Sequence, residues 1–157
     1  MAQDSLSLYF DPKSLATVYA QLNQMSDIYR DAVINKGLSD GAGIIRRETN
    51  KNMHRLVKRR KGNLYGSLTK KKVGRASKGD VRYQIGFRRP QGAAAHLVDK
   101  GTRERCTSGK NGKPRMPRGK VAPRLFHTMS VERKGDEALK RVAESIQISI
   151  DRIMSRN

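Results

Sequence analysis

The sequence predicts a small α+β protein in which helices flank a small, mostly antiparallel sheet. Two apolar stripes at helical spacing lie towards the two ends of the 157-residue chain, and a segment between them alternates apolar and polar residues as a half-buried strand does. Hydrophobic residues make up only 36% of the chain, and tryptophan is absent. A chain of 157 residues is expected to form a single domain. Its low hydrophobic content indicates that part of the chain is extended loop, or is buried against a partner subunit.

An N-terminal helical pair is predicted from its caps and its apolar stripe. Asp11 and Pro12 are favourable residues at a helix start, and Gly37 is a natural C-terminal cap. Ser39 or Asp40 then caps a second helix. The expected stripe of the first helix consists of Leu15, Val18, Tyr19, Leu22, Met25, Ile28, Tyr29 and Val33.

The second helix is predicted to be apolar on one side and basic on the other. Its apolar side consists of Ile44, Ile45, Thr49, Met53, Leu56 and Val57, and its basic side of Arg46, Arg47, Lys51, Arg55 and Lys58. Another amphipathic helix is predicted near the C-terminus, with Ile148 on its polar face. The apolar stripe of that helix consists of Ala138, Leu139, Val142, Ala143, Ile146, Ile150, Ile153 and Met154.

Between these helices the period of the pattern changes from helical to alternating. Residues 81–87 alternate strictly and predict a strand, and residues 68–73 predict a second strand joined to it by the turn-rich residues 74–80. Residues 93–98 form either one or two helical turns or a third strand. We expect the apolar stripes of the first and last helices to cover this sheet. The sheet core is expected to consist of Leu64, Leu68, Val81, Tyr83, Ile85 and Phe87.

The chain is therefore expected to have four parts. Residues 1–39 form an N-terminal helical arm, 40–102 contain the basic helix and the hairpin, 103–120 form a long basic loop, and 121–157 form the C-terminal helical segment. The loop RERCTSGKNGKPRMPRGK has almost no apolar residues, so it cannot bury enough surface to order itself alone. Long loops of this kind are usually functional or disordered.

The positive charge is concentrated in the middle of the sequence. Residues 41–125 hold 25 Lys and Arg against four Asp and Glu, a net charge of +21, whereas residues 1–40 carry −2 and residues 126–157 carry +1. This distribution indicates a surface for an anionic partner, either nucleic acid or an acidic protein surface, with a solvated cationic face as the plainer alternative. The predicted contacts are Lys58, Arg59, Arg60, Lys61, Lys70, Lys71, Lys72, Arg103, Arg105, Lys110, Lys113, Arg115, Arg118 and Lys120.

No catalytic, cofactor-binding or metal-binding residues are predicted. His54, His96, His127 and Cys106 lack the paired spacing of zinc ligands. A nuclease would need clustered carboxylates to hold Mg²⁺. The acidic residues of the basic middle are widely spaced: Glu48, Asp80, Asp99 and Glu104. No apolar run is long enough to span a bilayer, and the N-terminus does not resemble a signal peptide.

Three short elements occur in a distinctive order. The first is a Gly-x-Leu-x-x-Ser-Leu element formed by Gly62, Leu64, Ser67 and Leu68. The second is a His-Leu-Val-acid-x-Gly-Thr element formed by His96, Leu97, Val98, Asp99, Gly101 and Thr102. The third is a Pro-Arg-Leu-Phe segment that runs from Pro123 to Phe126. In this order, residues 40–155 resemble the head–tail joining (neck, tail-completion or minor tail) proteins of long-tailed double-stranded-DNA bacteriophages.

The resemblance implies a small α+β fold and a structural, non-enzymatic role without cofactors. It implies a cyclic homo-oligomer, by analogy with tail symmetry a hexamer, in the virion at the junction of head and tail. Partners would be other neck, connector and tail proteins and the double-stranded DNA in the lumen, with no membrane, and assembly would take place in the host cytoplasm. The insert between Thr102 and Pro123 is longer and more basic than the family pattern. The alternatives are a free, sequence-independent nucleic-acid-binding protein and a nuclease.

Overall fold

A computed structural model describes residues 12–57, 63–73, 81–106 and 117–156, and it has the α+β class that the sequence predicts. Two long helices pack against each other, and a two-stranded antiparallel sheet lies against one of them. In chain order, the elements are α1 (Pro12–Asn23), α2 (Asp27–Leu56), α3 (Asn63–Ser67), β1 (Leu68–Val73), β2 (Arg82–Phe87), α4 (Ala95–Lys100), β3 (Arg105–Cys106), β4 (Pro117–Gly119) and α5 (Thr128–Met154). In this part of the chain, no helix combines the length and the apolar character needed to cross a membrane.

The predicted helix boundary at Gly37 is wrong, because Gly37 lies inside α2, a continuous helix of 30 residues. Gly37 and Gly41 are buried where α2 packs on α5. A Cβ atom on Gly37 would lie 2.6 Å from Ile146 Cγ1, and one on Gly41 would lie 2.7 Å from the carbonyl oxygen of Ala138. These glycines therefore permit close packing of two helices, and the boundary expected between residues 39 and 40 lies inside a continuous helix.

The chain instead leaves helical conformation between α1 and α2. Ser26 is extended, with φ −61° and ψ 153°, and precedes the first residue of α2. This break divides the apolar stripe predicted for one long helix between two helices. Leu22 and Val33 are buried with Ile150 of α5, whereas Tyr19, Ile28 and Tyr29 are exposed.

The two strands pair antiparallel as predicted, with Leu68 paired to Phe87 and Val73 paired to Arg82. Residues 74–80, predicted to form the turn between them, lie outside the described part of the chain. The prediction of what covers it is wrong in part. The sheet packs on α2, whereas α1 packs on α5. Leu68 lies in a cluster with Met53 and Phe126, which Ile85 and Phe87 border. The apolar side of α2 covers the hairpin, since Ile85 packs against the cluster that contains Ile44 and Ile45, and Leu68 lies in one cluster with Met53.

The C-terminal helix also forms as predicted, and its stripe packs on α2, except that Met154, predicted to belong to the stripe, is 49% exposed. Ala138 packs with Ile44 and Ile45 in one cluster, and Ile150 packs with Val33 in another. Ile148 is 51% exposed, as its position off the stripe predicts. The contacts between the two long helices thus extend along α2 from Val33 to Asn52.

The regions between the hairpin and α5 are partly helical and partly extended. Residues 95–100 form α4, which decides between the two alternatives for this segment in favour of helix. The predicted basic loop begins and ends in the antiparallel pair β3 and β4, where Arg105 is paired with Gly119. Residues 107–116 lie outside the described part of the chain.

Candidate nucleic-acid interface

The basic side of α2 lies opposite its buried side. Arg46, Arg47, Lys51 and Arg55 are all exposed. Arg55 Nη2 donates to Asn52 Oδ1 at 3.2 Å, which orients one guanidinium. Because Lys51 and Arg55 are four residues apart on a helix, they present a pair of cations on one face.

The three lysines of β1 divide into two roles. Lys70 Nζ donates to the backbone oxygen of Ser39 at 3.0 Å and to its hydroxyl oxygen at 2.7 Å, and it lies 5.6 Å from the centre of the Tyr83 ring. Lys70 therefore links the hairpin to α2. Its ammonium group is hydrogen-bonded within the protein and is not counted among the candidates for contact with a partner. Lys71 and Lys72 are exposed and remain candidates for contact with an anionic partner.

Only some of the other predicted contacts can be placed. Arg103 and Lys120 are exposed on the two chain segments that enter and leave the basic loop. Arg105 lies in β3 and Arg118 in β4. The remaining predicted contacts and the first glycine of the Gly-x-Leu-x-x-Ser-Leu element lie outside the described residues: Lys58, Arg59, Arg60, Lys61, Gly62, Lys110, Lys113 and Arg115.

The first sequence element packs beneath the hairpin. Leu64 and Tyr65 lie in α3 and border the cluster of Met53, Leu68 and Phe126. Ser67 is buried, and its hydroxyl donates to the carbonyl oxygen of Leu64 at 2.7 Å. The element therefore supplies core and turn, and none of its described side chains is placed to meet a ligand.

The second and third elements meet at Asp99. This carboxylate is buried, and it accepts hydrogen bonds from the backbone N–H of His127 at 2.8 Å and from the hydroxyl of Thr128 at 3.2 Å. The backbone oxygen of Asp99 accepts from the N–H groups of Arg124 at 3.0 Å and Leu125 at 2.9 Å. The side chain of Asp99 thus satisfies one backbone N–H, that of His127 immediately before α5, and it also accepts the hydroxyl of the first residue of α5.

Gly101 and Thr102 continue this junction. Gly101 has φ 77° and ψ −177°, a conformation essentially confined to glycine. A Cβ there would lie 2.8 Å from the carbonyl oxygen of Val121 and 2.9 Å from Pro123 N. Thr102 N donates to Val121 O at 3.0 Å, and Val121 N donates to the Thr102 hydroxyl at 3.1 Å. Gly101 allows the segment after α4 to approach the segment before α5 closely, and Thr102 joins the two segments by hydrogen bonds.

The other members of the second and third elements differ in their exposure to solvent. His96 and Pro123 are exposed, and Leu97 is half-buried. Val98 borders the cluster that contains Phe126, and Phe126 is fully buried against Phe87 in an edge-to-face contact with ring centres 5.8 Å apart. At least one apolar residue of each element therefore lies in or beside one core cluster, whereas Leu125 of the third element is exposed.

A buried polar network that the sequence did not predict joins α2 to α5. Thr49 Oγ1 lies 3.2 Å from His127 Nδ1, and Asn52 Nδ2 donates to Ser130 Oγ at 2.9 Å. Ser130 in turn donates to the carbonyl oxygen of Phe126 at 2.5 Å. Burial lowers the pKa of His127 below its ordinary value, and the charge of Asp99 opposes that shift. In the sequence, this network was indicated only by Thr49, a polar residue on the predicted apolar side of the second helix.

A second cross-helix contact centres on Asp40. Its carboxylate accepts hydrogen bonds from Lys36 Nζ at 2.6 Å and from Ser145 Oγ at 2.8 Å. The bond from Lys36 is the main reason that the pKa of Asp40 is lowered, and burial opposes it. The spacing of four residues between Lys36 and Asp40 could have indicated this pair, whereas the role of Ser145 depends on tertiary packing.

Comparisons of the chain with protein-family models, with curated proteins and with solved structures found no match. Within residues 12–57, 63–73, 81–106 and 117–156, no three His, Cys, Asp or Glu side chains are grouped so that they could hold a metal ion. The candidate site consists of the exposed lysines and arginines of α2 and β1, together with Arg103 and Lys120, which flank the β3–β4 pair.

Proposed function

We propose that the protein is a structural component of the head–tail junction of a long-tailed double-stranded-DNA bacteriophage. Copies of the chain form a closed ring, by analogy with tail symmetry a hexamer, that connects the portal or connector to the tail and lets DNA pass. The ring belongs to the virion, is assembled in the host cytoplasm, and performs no catalysis.

One observation carries this proposal. The three sequence elements on which the resemblance rests are separated along the chain, yet Leu68, Val98 and Phe126, one from each element, pack in or beside the same cluster. Asp99 and Thr102 then join the second element to the residues around the third. Elements that resemble those of one family and also build one core together support a shared fold more strongly than their order alone.

The exposed cations support passage of DNA through the ring. Lys71, Lys72, Arg103 and Lys120 are exposed on strands and loop ends. A duplex in a channel presents a uniform row of phosphates, so contact with it needs positive charge and no reading of bases. Side chains of this kind suit a channel lining.

The exposed apolar side chains support self-association. Ile28 is 80% exposed, Tyr19 61% and Tyr29 55%, close to the break between α1 and α2. With only 36% hydrophobic residues in the chain, leaving these in water is unfavourable, and burial between copies would remove them from it.

A free, sequence-independent nucleic-acid-binding protein is the second candidate. The exposed lysines and arginines of α2 and β1 favour it, because they would contact phosphates equally well in a monomer. This candidate requires neither a ring nor phage partners.

The deciding experiment measures the mass of the full-length protein by native mass spectrometry and light scattering over a concentration series. A closed ring, seen also by electron microscopy, supports the proposal. A monomer or dimer that persists at the highest soluble concentration and binds duplex DNA tightly contradicts it and supports the second candidate. Ile28→Asp is expected to shift the distribution towards monomer. Asn50→Asp, at an exposed polar position of the same helix, serves as its control.

A further inference from the structure

An open cavity of about 560 Å³ lies where α4 ends and the basic loop begins and ends. Cavities of this size are typical of small-ligand sites. Its lining consists of Lys100, Gly101, Thr102, Arg103, Glu104, Lys120, Val121 and Pro123. The lining thus includes three cationic side chains and one carboxylate, and it contains no aromatic residue.

The three cations are available to a ligand. Lys100, Arg103 and Lys120 are exposed. None of them forms an ion pair or a side-chain hydrogen bond with another described residue, Glu104 included. Their charges are therefore not neutralised within the described part of the protein, and mutual repulsion among them would be relieved by an anion placed between them.

The backbone beneath these cations is held in place by contacts that leave polar groups at the cavity. Gly101 brings the chain so close to Val121 and Pro123 that any side chain would collide with them. The Thr102 hydroxyl accepts a hydrogen bond from Val121 N, so its own proton is left for donation to a ligand oxygen. The cavity thus joins a fixed base to three charged groups on long side chains.

We propose that this cavity binds a backbone phosphate of double-stranded DNA. The proposal rests on the function proposed above and names the place where the ring would contact the duplex. Lysine and arginine are the side chains that neutralise phosphates, and arginine can donate two parallel hydrogen bonds to one phosphate. A phosphate is common to every nucleotide, so binding at this cavity is independent of sequence. No aromatic residue lines the cavity, so it offers no surface for stacking of an unpaired base, which favours a duplex over a single strand.

The test compares the salt dependence of duplex binding in two triple variants of the full chain. One carries Lys100→Ala, Arg103→Ala and Lys120→Ala. The control carries Arg133→Ala, Lys140→Ala and Arg152→Ala, three exposed positions of α5 that remove the same charge. Each phosphate contact contributes about 0.9 to the slope of log affinity against log salt, so the cavity variant is expected to reduce that slope by about 1 for each cavity that contacts the duplex, and the control by far less.

A substitution that is expected to increase affinity complements the triple variants, because misfolding would lower duplex binding and could not raise it. Glu104→Gln removes the one negative charge of the lining and is expected to strengthen duplex binding by about two- to fivefold at low salt. Glu132→Gln, at an exposed position of α5, is expected to change it much less. Circular dichroism shows whether each variant retains the fold.

The outcomes separate this site from the proposed function. Equal slopes for both triple variants, or no gain from Glu104→Gln relative to its control, would overturn the site even if a ring forms. Binding of inorganic tripolyphosphate that depends on the three cations, without such dependence for duplex, overturns the assignment to DNA and indicates a free phosphate ligand. A cation-dependent slope in a protein that forms no ring supports the site and contradicts the head–tail role.

Discussion

Asp99 in α4 and His127 at the start of α5 are 28 residues apart, yet the Asp99 carboxylate accepts the backbone N–H of His127 at 2.8 Å. The same carboxylate accepts the Thr128 hydroxyl, and the backbone oxygen of Asp99 accepts the N–H groups of Arg124 and Leu125. One acidic residue therefore binds the chain at the start of α5. The negative charge also lies near the positive end of the α5 dipole, which adds to its effect.

Asp99→Asn is expected to lower the free energy of unfolding. The amide retains one acceptor, but it loses the charge and one carboxylate oxygen at a buried site, at a cost of about 1–2 kcal/mol. Urea denaturation followed by circular dichroism measures this. The control is Asp136→Asn, an exposed position in α5, which should change stability little. Equal stability of the two variants would show that the Asp99 carboxylate does not stabilise the start of α5.

Gly41→Ala is expected to destabilise the protein because the new methyl group has no room. It would lie 2.7 Å from the carbonyl oxygen of Ala138 and in contact with Val142 Cγ2, so α2 and α5 would have to separate. Such overpacking costs about 1–3 kcal/mol.

Gly43→Ala provides a matched control in the same helix. A Cβ there meets nothing within 4 Å, so the higher helix propensity of alanine should raise the free energy of unfolding by about 0.5–1 kcal/mol. The two substitutions should therefore shift the urea midpoint in opposite directions. A shift in the same direction would contradict the close packing of α2 on α5.

The periodic parts of the fold were predictable from the sequence because burial repeats with the geometry of the element. Ile44, Ile45 and Met53 are buried on α2 as their spacing predicts, and the alternation over residues 81–87 matches β2. The break between the first two helices was not predictable. Gly37 has the sequence signature of a helix end, and only contact with Ile146, more than a hundred residues later, makes it an interior residue.

The candidate interface was predictable in composition but not in the roles of single residues. A lysine triplet in a strand looks uniform in sequence, yet Lys70 is hydrogen-bonded to Ser39 whereas Lys71 and Lys72 are exposed. Likewise, Asp99 belongs to a distinctive element, but its part in starting α5 depends on a contact across the fold. The local sequence shows where charged residues lie and how apolar residues repeat. It does not show which charged side chains are hydrogen-bonded within the folded protein.

Replacement of Lys70 and of Lys71 by methionine should have different consequences. Lys70→Met removes hydrogen bonds to Ser39 that hold the hairpin on α2, so stability should fall by about 1–2 kcal/mol. Lys71→Met should leave stability within about 0.5 kcal/mol because Lys71 is exposed. Lys71→Met should instead weaken duplex binding at low salt. Urea denaturation and fluorescence anisotropy measure the two effects, and a stability loss for Lys71→Met equal to that for Lys70→Met would contradict this division.

Leu125→Gly should be more stable than Leu125→Ala. Leu125 has φ 49°, in the left-handed region that favours glycine, and its backbone is held there by the hydrogen bond from its N–H to Asp99 O. Both variants lose the same exposed side chain apart from one methyl group, but only glycine avoids the left-handed penalty of about 1 kcal/mol. Thermal and urea unfolding of the pair should show this order. Alanine equal to or better than glycine would mean that the left-handed conformation is not retained.

Stability should fall as the pH is lowered through the range in which His127 titrates. Burial lowers the pKa of His127 in the folded protein relative to its ordinary value of 6.5, so the unfolded chain binds a proton more readily. The free energy of unfolding therefore stays level above about pH 6.5 and decreases below it until the folded pKa is passed. The lowered pKa of Asp40 acts in the same direction, but only below its ordinary value of 3.8, so the two ranges are separate. Urea denaturation from about pH 8 to about pH 5 should show a decline that His127→Gln reduces and that His96→Gln, at an exposed position, retains. An unchanged decline in His127→Gln would assign the effect to another group.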